Sequence, residues 1–389
     1  MTSTLSSITT SAVSATSSQL KLEVLPGWEE IATDWKSLEL TIANERFACG
    51  STWVKSWLDQ YQSSITPYFL KFTSEDRLIA TVLVVGSTHC KEGPFSLRTL
   101  HLGTAGEAHG HSACIEYNTL LCAKQDRPQV LALLLEWMHK QKQYNEIRLD
   151  GIEHDLLEEV QSLKTPSTAL ELTERMCRSM EFAAVREADQ MVIDQLGKST
   201  RQNLRRRIRK MGEPHVEWAT STDQALRIFQ ELVELHQQRW TEAGQPGAFA
   251  SERFYRLQES YIKAGHASGA CHLARVRIEG STLGCVYYWN DRNRLLDYVS
   301  GFASFSEFPS GGLVTHYLCL EDALVRGFTG YDFLVGDKQH KVNLGKTETP
   351  LYWVRFKKPH WKYIVLKTLR TIKRTLQSLR PQNVPPNSH

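Results

Sequence analysis

The stretch YDFLVGDKQHK (331–341) runs out of an apolar, strand-like segment into a group of ionisable residues, Asp337, Lys338, His340 and Lys341, just past Gly336. Ligands of α/β sheets settle beyond the carboxyl ends of strands, so this cluster is placed to move protons or to hold a charged group. Upstream, Ser310-Gly311-Gly312 precedes an apolar stretch with helical periodicity. The first N–H groups of a helix lack partners within it and sit at the positive end of its dipole, and glycine lets a phosphate come close. The same three residues also suit an N-cap by Ser310 with the glycines serving the turn, and the local sequence leaves both readings open.

Two runs of repeated plan position these residues. PYFLKFTSEDRLIATVLVVG (67–86) reads as a β-hairpin around Ser-Glu-Asp. A loop-rich stretch, an amphipathic helix over 127–142 and a strand over 146–152 follow. The order recurs as a hairpin over 271–290 around Glu279-Gly280, a strand over 294–302, a helix over 311–327 stopped by Gly327, and a strand over 331–335. Helices between strands imply α/β architecture, with a mixed central sheet flanked by helices in each half.

Length and composition agree with two domains: 389 residues, 41% hydrophobic and 23% charged. Residues 357–389 hold eight Lys or Arg and no acid, more than the whole chain's net charge of +3, so the rest is net negative by five. The eight cysteines form no CxxC pair and several lie in apolar runs, which predicts reduced, buried thiols and a cytoplasmic setting. The first twenty residues, rich in Ser and Thr, lack the charged and apolar regions of a signal peptide and read as a disordered tail. No uninterrupted apolar run has spanning length. His89, Cys90, His101, His109, His111 and Cys114 have no recognised ligand spacing, so no metal site is expected. The chain also has no Walker loop, nucleophile elbow or dinucleotide fingerprint.

Tyr298-Val299-Ser300-Gly301-Phe302, Pro309-Ser310-Gly311-Gly312, and Tyr331-Asp332-Phe333-Leu334-Val335-Gly336-Asp337 ending at Lys341 together resemble the motifs of the CelD-type acetyltransferases of the GNAT superfamily, relatives of the FemAB peptidyltransferases. ELHQQRWTEAGQPGAFA (234–250), the basic RQNLRRRIRKM (201–211), and Ser51-Thr52-Trp53 with Trp57 extend the resemblance over roughly residues 25–356. The family's Arg before Gly-Asp is Val335 here, its Glu after Asp is Lys338, and its Tyr before Lys is His340.

The resemblance implies two tandem GNAT-like domains: a degenerate one over 21–180 and a working acyltransferase one over 181–356, between the 1–20 tail and a basic C-terminal helix and tail over 357–389. It implies transfer from acetyl-CoA or a longer acyl-CoA to an amine or hydroxyl of a sugar or small precursor, for instance in cell-surface polysaccharide synthesis. Asp337 or His236 would be the base and Tyr298 or Tyr331 the acid. Ser300 and Gly301 on the 294–302 strand would face the donor, and the amides of Ser310, Gly311, Gly312 and Leu313 would hold its pyrophosphate. Arg239, Trp240, His340 and Lys341 would meet the acceptor. A FemAB-like transfer from charged tRNA and a non-catalytic scaffold at a membrane surface are the alternatives.

The segment 198–210 carries seven basic residues and no acid, with Leu204 and Ile208 on one helix face. It suits CoA phosphates, a nucleotide-linked sugar or nucleic acid, but no base-reading motif or stacking aromatic favours the last. WKYIVLKTLRTIKRTLQSLR (361–380) spaces Trp361, Ile364, Val365, Leu369, Ile372, Leu376 and Leu379 along one helix face among Lys and Arg. Such a helix either docks on the preceding domain or lies on an anionic membrane surface.

Overall fold

The computed structural model describes residues 20–42, 46–163 and 169–378, so the expected N-terminal tail lies almost wholly outside the described residues. The first half runs β1 (Leu20–Leu25), α1 (Trp28–Thr41), α2 (Ser51–Tyr61), β2 (Thr66–Ser74), β3 (Arg77–Glu92), β4 (Phe95–Leu102), β5 (Leu121–Cys122), α3 (Arg127–Lys140), β6 (Glu146–Ile152), α4 (His154–Ser162) and β7 (Ala169–Glu181). The second runs α5 (Phe182–Glu187), α6 (Val192–Gln195), α7 (Lys198–Met211), β8 (Pro214–Trp218), α8 (Thr222–Glu242), α9 (Glu252–Gly265), β9 (Cys271–Ile278), β10 (Ser281–Asp291), β11 (Arg294–Phe302), α10 (Gly311–Val325), β12 (Gly330–Val335), α11 (Gln339–Leu344) and β13 (Thr347–Lys357), with α12 (Trp361–Ser378) last.

Both expected hairpins form. Their turns put Glu75 and Asp76, and then Glu279 and Gly280, at positive φ, as a two-residue turn that matches strand twist requires. The stretch expected to be loop-rich instead carries the end of β3 and all of β4, joined at Gly93 with φ +58. Polar residues on the outer end of that hairpin mask its alternation.

All strands join one mixed sheet in the order β1-β2-β3-β4-β6-β13-β7-β12-β11-β10-β9-β8, with β5 beside β3. The halves exchange their closing strands. β7 pairs with β12 of the second half, and β13 returns to pair with β6 of the first. The expected boundary at 180/181 therefore falls within β7, whose ladder partners are β12 and β13.

Helices cover both faces. One core gathers Trp35, Trp53, Trp57, Phe229, Tyr261 and Trp289 from both halves, so α2 and α9 lie against each other across the join. Trp53 packs on Tyr261 and Trp289 with ring centroids 5.2 and 4.8 Å away, and its Nε1 donates to Thr104 Oγ1 at 2.8 Å. Buried indoles with a satisfied N–H contribute large apolar area without an orphan donor. The other cores lie under α3 and α4, and under α10.

An ion-paired link joins the halves beside the Trp53 and Trp289 rings, on which Phe47 packs. The Arg46 guanidinium binds Glu153 and the wholly buried carboxylate of Asp291, which also accepts the Phe47 N–H at 3.0 Å. Removing one partner leaves a buried charge unpaired. Arg46→Ala should cost about 3–5 kcal/mol in urea unfolding, and Asp291→Asn in the Arg46→Ala background should restore part of that loss.

Candidate active site

β11 and β12 pair in parallel only over Arg294–Leu296 with Gly330–Asp332, and then part. Gly301 keeps β11 against α8, because a Cβ there would collide with the Leu232 carbonyl oxygen. On the other strand Leu334 takes φ +58 and the register with β7 shifts between Asp332 and Val335. The N–H groups that lose ladder partners are taken by side chains. Asp332 Oδ1 accepts from Leu334 N at 2.7 Å, and Glu116 Oε2, from the first half, accepts from Val335 N at 2.9 Å. Tyr117 donates its hydroxyl to Asp332, and Arg294 Nη1 lies 3.5 Å from the same carboxylate. Lys341 Nζ donates to the Leu334 and Val335 carbonyls at 3.2 and 2.9 Å. The splay thus forms where the first half inserts the 116–117 segment.

Glu116 is partly exposed, unlike its neighbour Asp332. Burial first, and then the Asp332 charge, pushes its carboxyl up to about 7, against the Val335 N–H and Lys341, which favour the ionised form. A carboxyl that titrates near neutrality at the mouth of a cleft can take a proton from a nucleophile.

Beneath it lies a buried polar cluster. His316 Nδ1, on α10, faces Asp297 Oδ2 of β11 at 3.1 Å and the Tyr331 hydroxyl at 3.1 Å. The Tyr331 hydroxyl also lies 3.2 Å from the Tyr288 hydroxyl and 3.3 Å from Asp297 Oδ2. His316 Nε2 has no hydrogen-bond partner among the described residues. Burial works to raise Asp297, but the charge and hydrogen bond of His316 outweigh it and hold the carboxyl below its ordinary value. His340 stacks on His316 with centroids 4.6 Å apart and rings 11° from parallel. Asp297, His316 and His340 bring three donor atoms within 4.8 Å. Nearly parallel stacked rings send their in-plane lone pairs side by side rather than onto one point, which suits a stacked pair better than a ligand set.

The residues named from sequence fall into groups. His236, Arg239 and Trp240 line the α8 wall, where Arg239 lies 4.5 Å over the Phe305 ring and Lys338 Nζ 5.9 Å from the Trp240 ring centre. His236 is buried between Trp240 and Phe249, and burial lowers its imidazole to about 4, so it is a weak base at neutral pH. Asp337 is exposed at the rim. His340 is lowered to about 3 by burial and then by His316. The Tyr331 hydroxyl is locked in the buried cluster and faces no open space. The Tyr298 hydroxyl is engaged: it donates to the Ala113 carbonyl at 2.9 Å and accepts from Gln258, and its ring stacks 3.6 Å from Trp289. Neither tyrosine is placed to be the acid.

Ser300 and Gly301 do lie on β11 beyond the parting point. At the start of α10, Ser310 adopts φ +67 and its side chain makes no cap hydrogen bond. The Gly311 N–H is spent on the Phe308 carbonyl at 2.9 Å. Gly311 and Gly312 are buried, where a Cβ would stand 2.9 Å from Leu283 Cδ1 and 3.3 Å from the Phe302 ring. Their smallness therefore seats α10 on the sheet. Leu313 is partly buried beside them. On α7, Arg207 and Lys210 line a cavity of about 450 Å³ together with Glu279, Glu307, Phe308 and Pro309, so the cations there face two carboxylates.

Asp297, His316, Glu116 and Tyr117 are the site residues that sequence reading missed. Asp297 interrupts RLLDYV and His316 interrupts LVTHYL, and a polar residue in a buried apolar run is a usable signal. Glu116 lies in an aperiodic loop and offers none.

Residues 198–342 match the family model described as an acetyltransferase (GNAT) domain. No curated protein matches the chain in sequence. Among solved structures, FemX aligns with a TM-score of 0.53 at 12% identity, over 82% of this chain and 95% of its own. A conserved protein of unknown function from Bacteroides thetaiotaomicron VPI-5482 aligns with a TM-score of 0.51 at 13% identity, over 84% and 97%. At such identities the likeness is one of fold, and the acetyltransferase (GNAT) match lies in the second half.

Because Glu116 is raised in the folded state, its contribution favours folding below the ordinary glutamate range and is lost as pH climbs through about 7. Glu116→Gln should therefore gain thermal stability relative to wild type at about pH 8 more than at about pH 5. An equal difference at both pH values would contradict the assignment.

Proposed function

We propose that the protein is an acyltransferase that moves an acyl group from an acyl-CoA thioester to an amine or hydroxyl of a small polar acceptor, such as a sugar, in the cleft between β11 and β12. The observation that carries this reading is the short parallel pairing that opens beside Glu116, within a segment matching an acetyltransferase (GNAT) domain. The splayed β11 backbone past Leu296 offers N–H groups to the thioester carbonyl, where oxyanion charge develops. The acceptor's nucleophilic atom forms a bond to the carbonyl carbon, the carbon–sulfur bond breaks, and CoA leaves as a thiolate that takes a proton from solvent. Glu116 takes the nucleophile's proton. Arg239 and Trp240 form a wall with a cation and an aromatic face, which suits a sugar or an amine-bearing ring. Arg207 and Lys210 are the cations we assign to the CoA phosphates, in a cavity that Glu279 and Glu307 also line.

CoA should raise the melting temperature of wild type, and the double charge reversal Arg207→Glu with Lys210→Glu should abolish most of that rise. With acetyl-CoA and a panel of amino sugars and amines, thiol release should increase with pH through about 7, since the base works ionised. Glu116→Gln should lower the rate by roughly 10²–10⁴-fold and remove that pH limb. No CoA shift and no thiol release would overturn the donor assignment. Nuclease-sensitive activity would point instead to charged tRNA, whose polyanionic backbone suits the same basic helix.

The C-terminal helix bears on where this chemistry happens. It touches the body through Leu366, through Tyr363 hydrogen-bonded to Glu146, and through Trp361 edge-on to Phe95. Ile364, Val365, Leu369 and Ile372 are exposed, as is most of Trp361, so the stripe expected to cover core does not do so. No described helix is long and apolar enough to cross a membrane. The exposed stripe, with lysines beside it and no acid after Glu348, favours α12 lying on an anionic membrane surface. Vesicles with anionic lipid should sediment the protein at low salt and neutral vesicles should not, and Ile364→Glu with Leu369→Glu should leave it in the supernatant.

A further inference from the structure

The first half has a splay of its own, and a cysteine stands at it. β4 and β6 pair in parallel only over Thr99–His101 with Glu146–Arg148. At that point Cys90 Sγ lies 3.6 Å from His101 Nε2, and His101 Nδ1 lies 3.3 Å from Asp150 Oδ2. A bulge in β3 between Ser87 and Cys90 interrupts its register with β4. The Ser87 hydroxyl pins that bulge by donating to the Gly106 carbonyl and accepting the His89 N–H. Bulges re-aim a side chain, and this one sits one step before the cysteine that meets His101. His101 is 3% exposed, while Cys90 remains partly open to solvent.

We infer that Cys90, oriented by the His101–Asp150 pair, is a nucleophilic thiol that exchanges with small disulfides and becomes a mixed disulfide. The inference does not rest on the acyl-transfer reading. In the step, the Cys90 thiolate attacks one sulfur of a disulfide RSSR. The Cys90–S–S–R bond forms as the R–S–S–R bond breaks, and the departing RS⁻ takes a proton from His101 or solvent. Cys90 is oxidised to the disulfide level and one half of RSSR is reduced to thiol.

The surroundings favour the ion pair. Burial opposes it, but the hydrogen bond and charge of His101, then Arg148 and Thr99, bring the Cys90 thiol below its ordinary value. Burial likewise opposes the imidazolium, and Asp150 and Cys90 raise it to about 9. Arg148 and Asp150 face the group from β6, Thr99 from β4, and the buried Glu107 from the loop after β4. An imidazole that faces both a thiol and a carboxylate generates a thiolate at neutral pH. Cys114 is the other thiol reachable from solvent. Burial of its sulfur, then the charges of Glu107 and Glu116, pushes it up.

The test exposes the folded, full-length protein to oxidised glutathione from about pH 6 to about pH 9 and reads the modified fraction of each cysteine by peptide mass spectrometry. At about pH 6.5, Cys90 should be modified at least ~10-fold faster than Cys114. His101→Gln should slow Cys90 by ~10-fold or more and shift its profile to higher pH. Asp150→Asn, at a more exposed position, should shift it in the same direction by less. A Cys90 rate that follows ordinary thiol ionisation in wild type overturns the inference. So does an unchanged Cys90 rate in either variant whose circular dichroism matches wild type.

Discussion

Two parallel strands that separate leave backbone donors and acceptors with no ladder, and when this happens inside a protein those groups must find other partners. β11 and β12 separate after three residue pairs, and the partners come from the other half of the chain: Glu116 for the Val335 N–H, and Tyr117 for Asp332, which itself caps the Leu334 N–H. Lys341 closes the account on the acceptor side through the Leu334 and Val335 carbonyls. The opening in the second half is therefore held by a loop of the first, and the second half has no complete cleft without its neighbour. The exchange of β7 and β13 serves the same end, since it makes one sheet of both halves and fixes the 116–117 loop relative to β12.

What the sequence revealed depends on whether a local period existed to be read. Strands β6 and β11 and both hairpins follow from alternation and turn residues, with Glu75-Asp76 and Glu279-Gly280 taking the positive φ that a tight turn demands. β4 escaped because its first residues alternate with solvent on a polar hairpin tip. Of the site, the wall residues Arg239 and Trp240, the rim residue Asp337 and His340 beneath it were named from local pattern and resemblance. Glu116 was not, because its meaning lies in a contact with Val335 more than two hundred residues away, and no local period encodes such a contact. The glycines at 311 and 312 carried two possible meanings, and the choice turned on Leu283 and Phe302, which again are distant in sequence or across a strand.

The two splays differ in what fills them. In the second half, a stacked pair of histidines and a carboxylate lie under an opening with charged residues at its rim. In the first, the corresponding place is occupied by Cys90, His101 and Asp150, with Gly106 packed so closely that a Cβ would stand 2.9 Å from the His101 ring. Tight packing on the first side leaves little room for a long thioester arm, while a thiol needs only a small partner. One fold repeated twice thus offers two kinds of polar pocket, distinguished by how closely the following loop is drawn in.

At the second splay the sign of burial's effect depends on which form is charged. It raises Glu116 and Asp332, and it lowers His340 and His236. The histidines are thereby kept neutral at physiological pH, with too little basicity to hold a proton taken from an amine or hydroxyl. A carboxyl raised to about 7 holds that proton well yet is ionised often enough to receive it. Histidine is the usual candidate for proton transfer near neutrality, but in the mechanism we propose burial moves that role from imidazole to carboxylate.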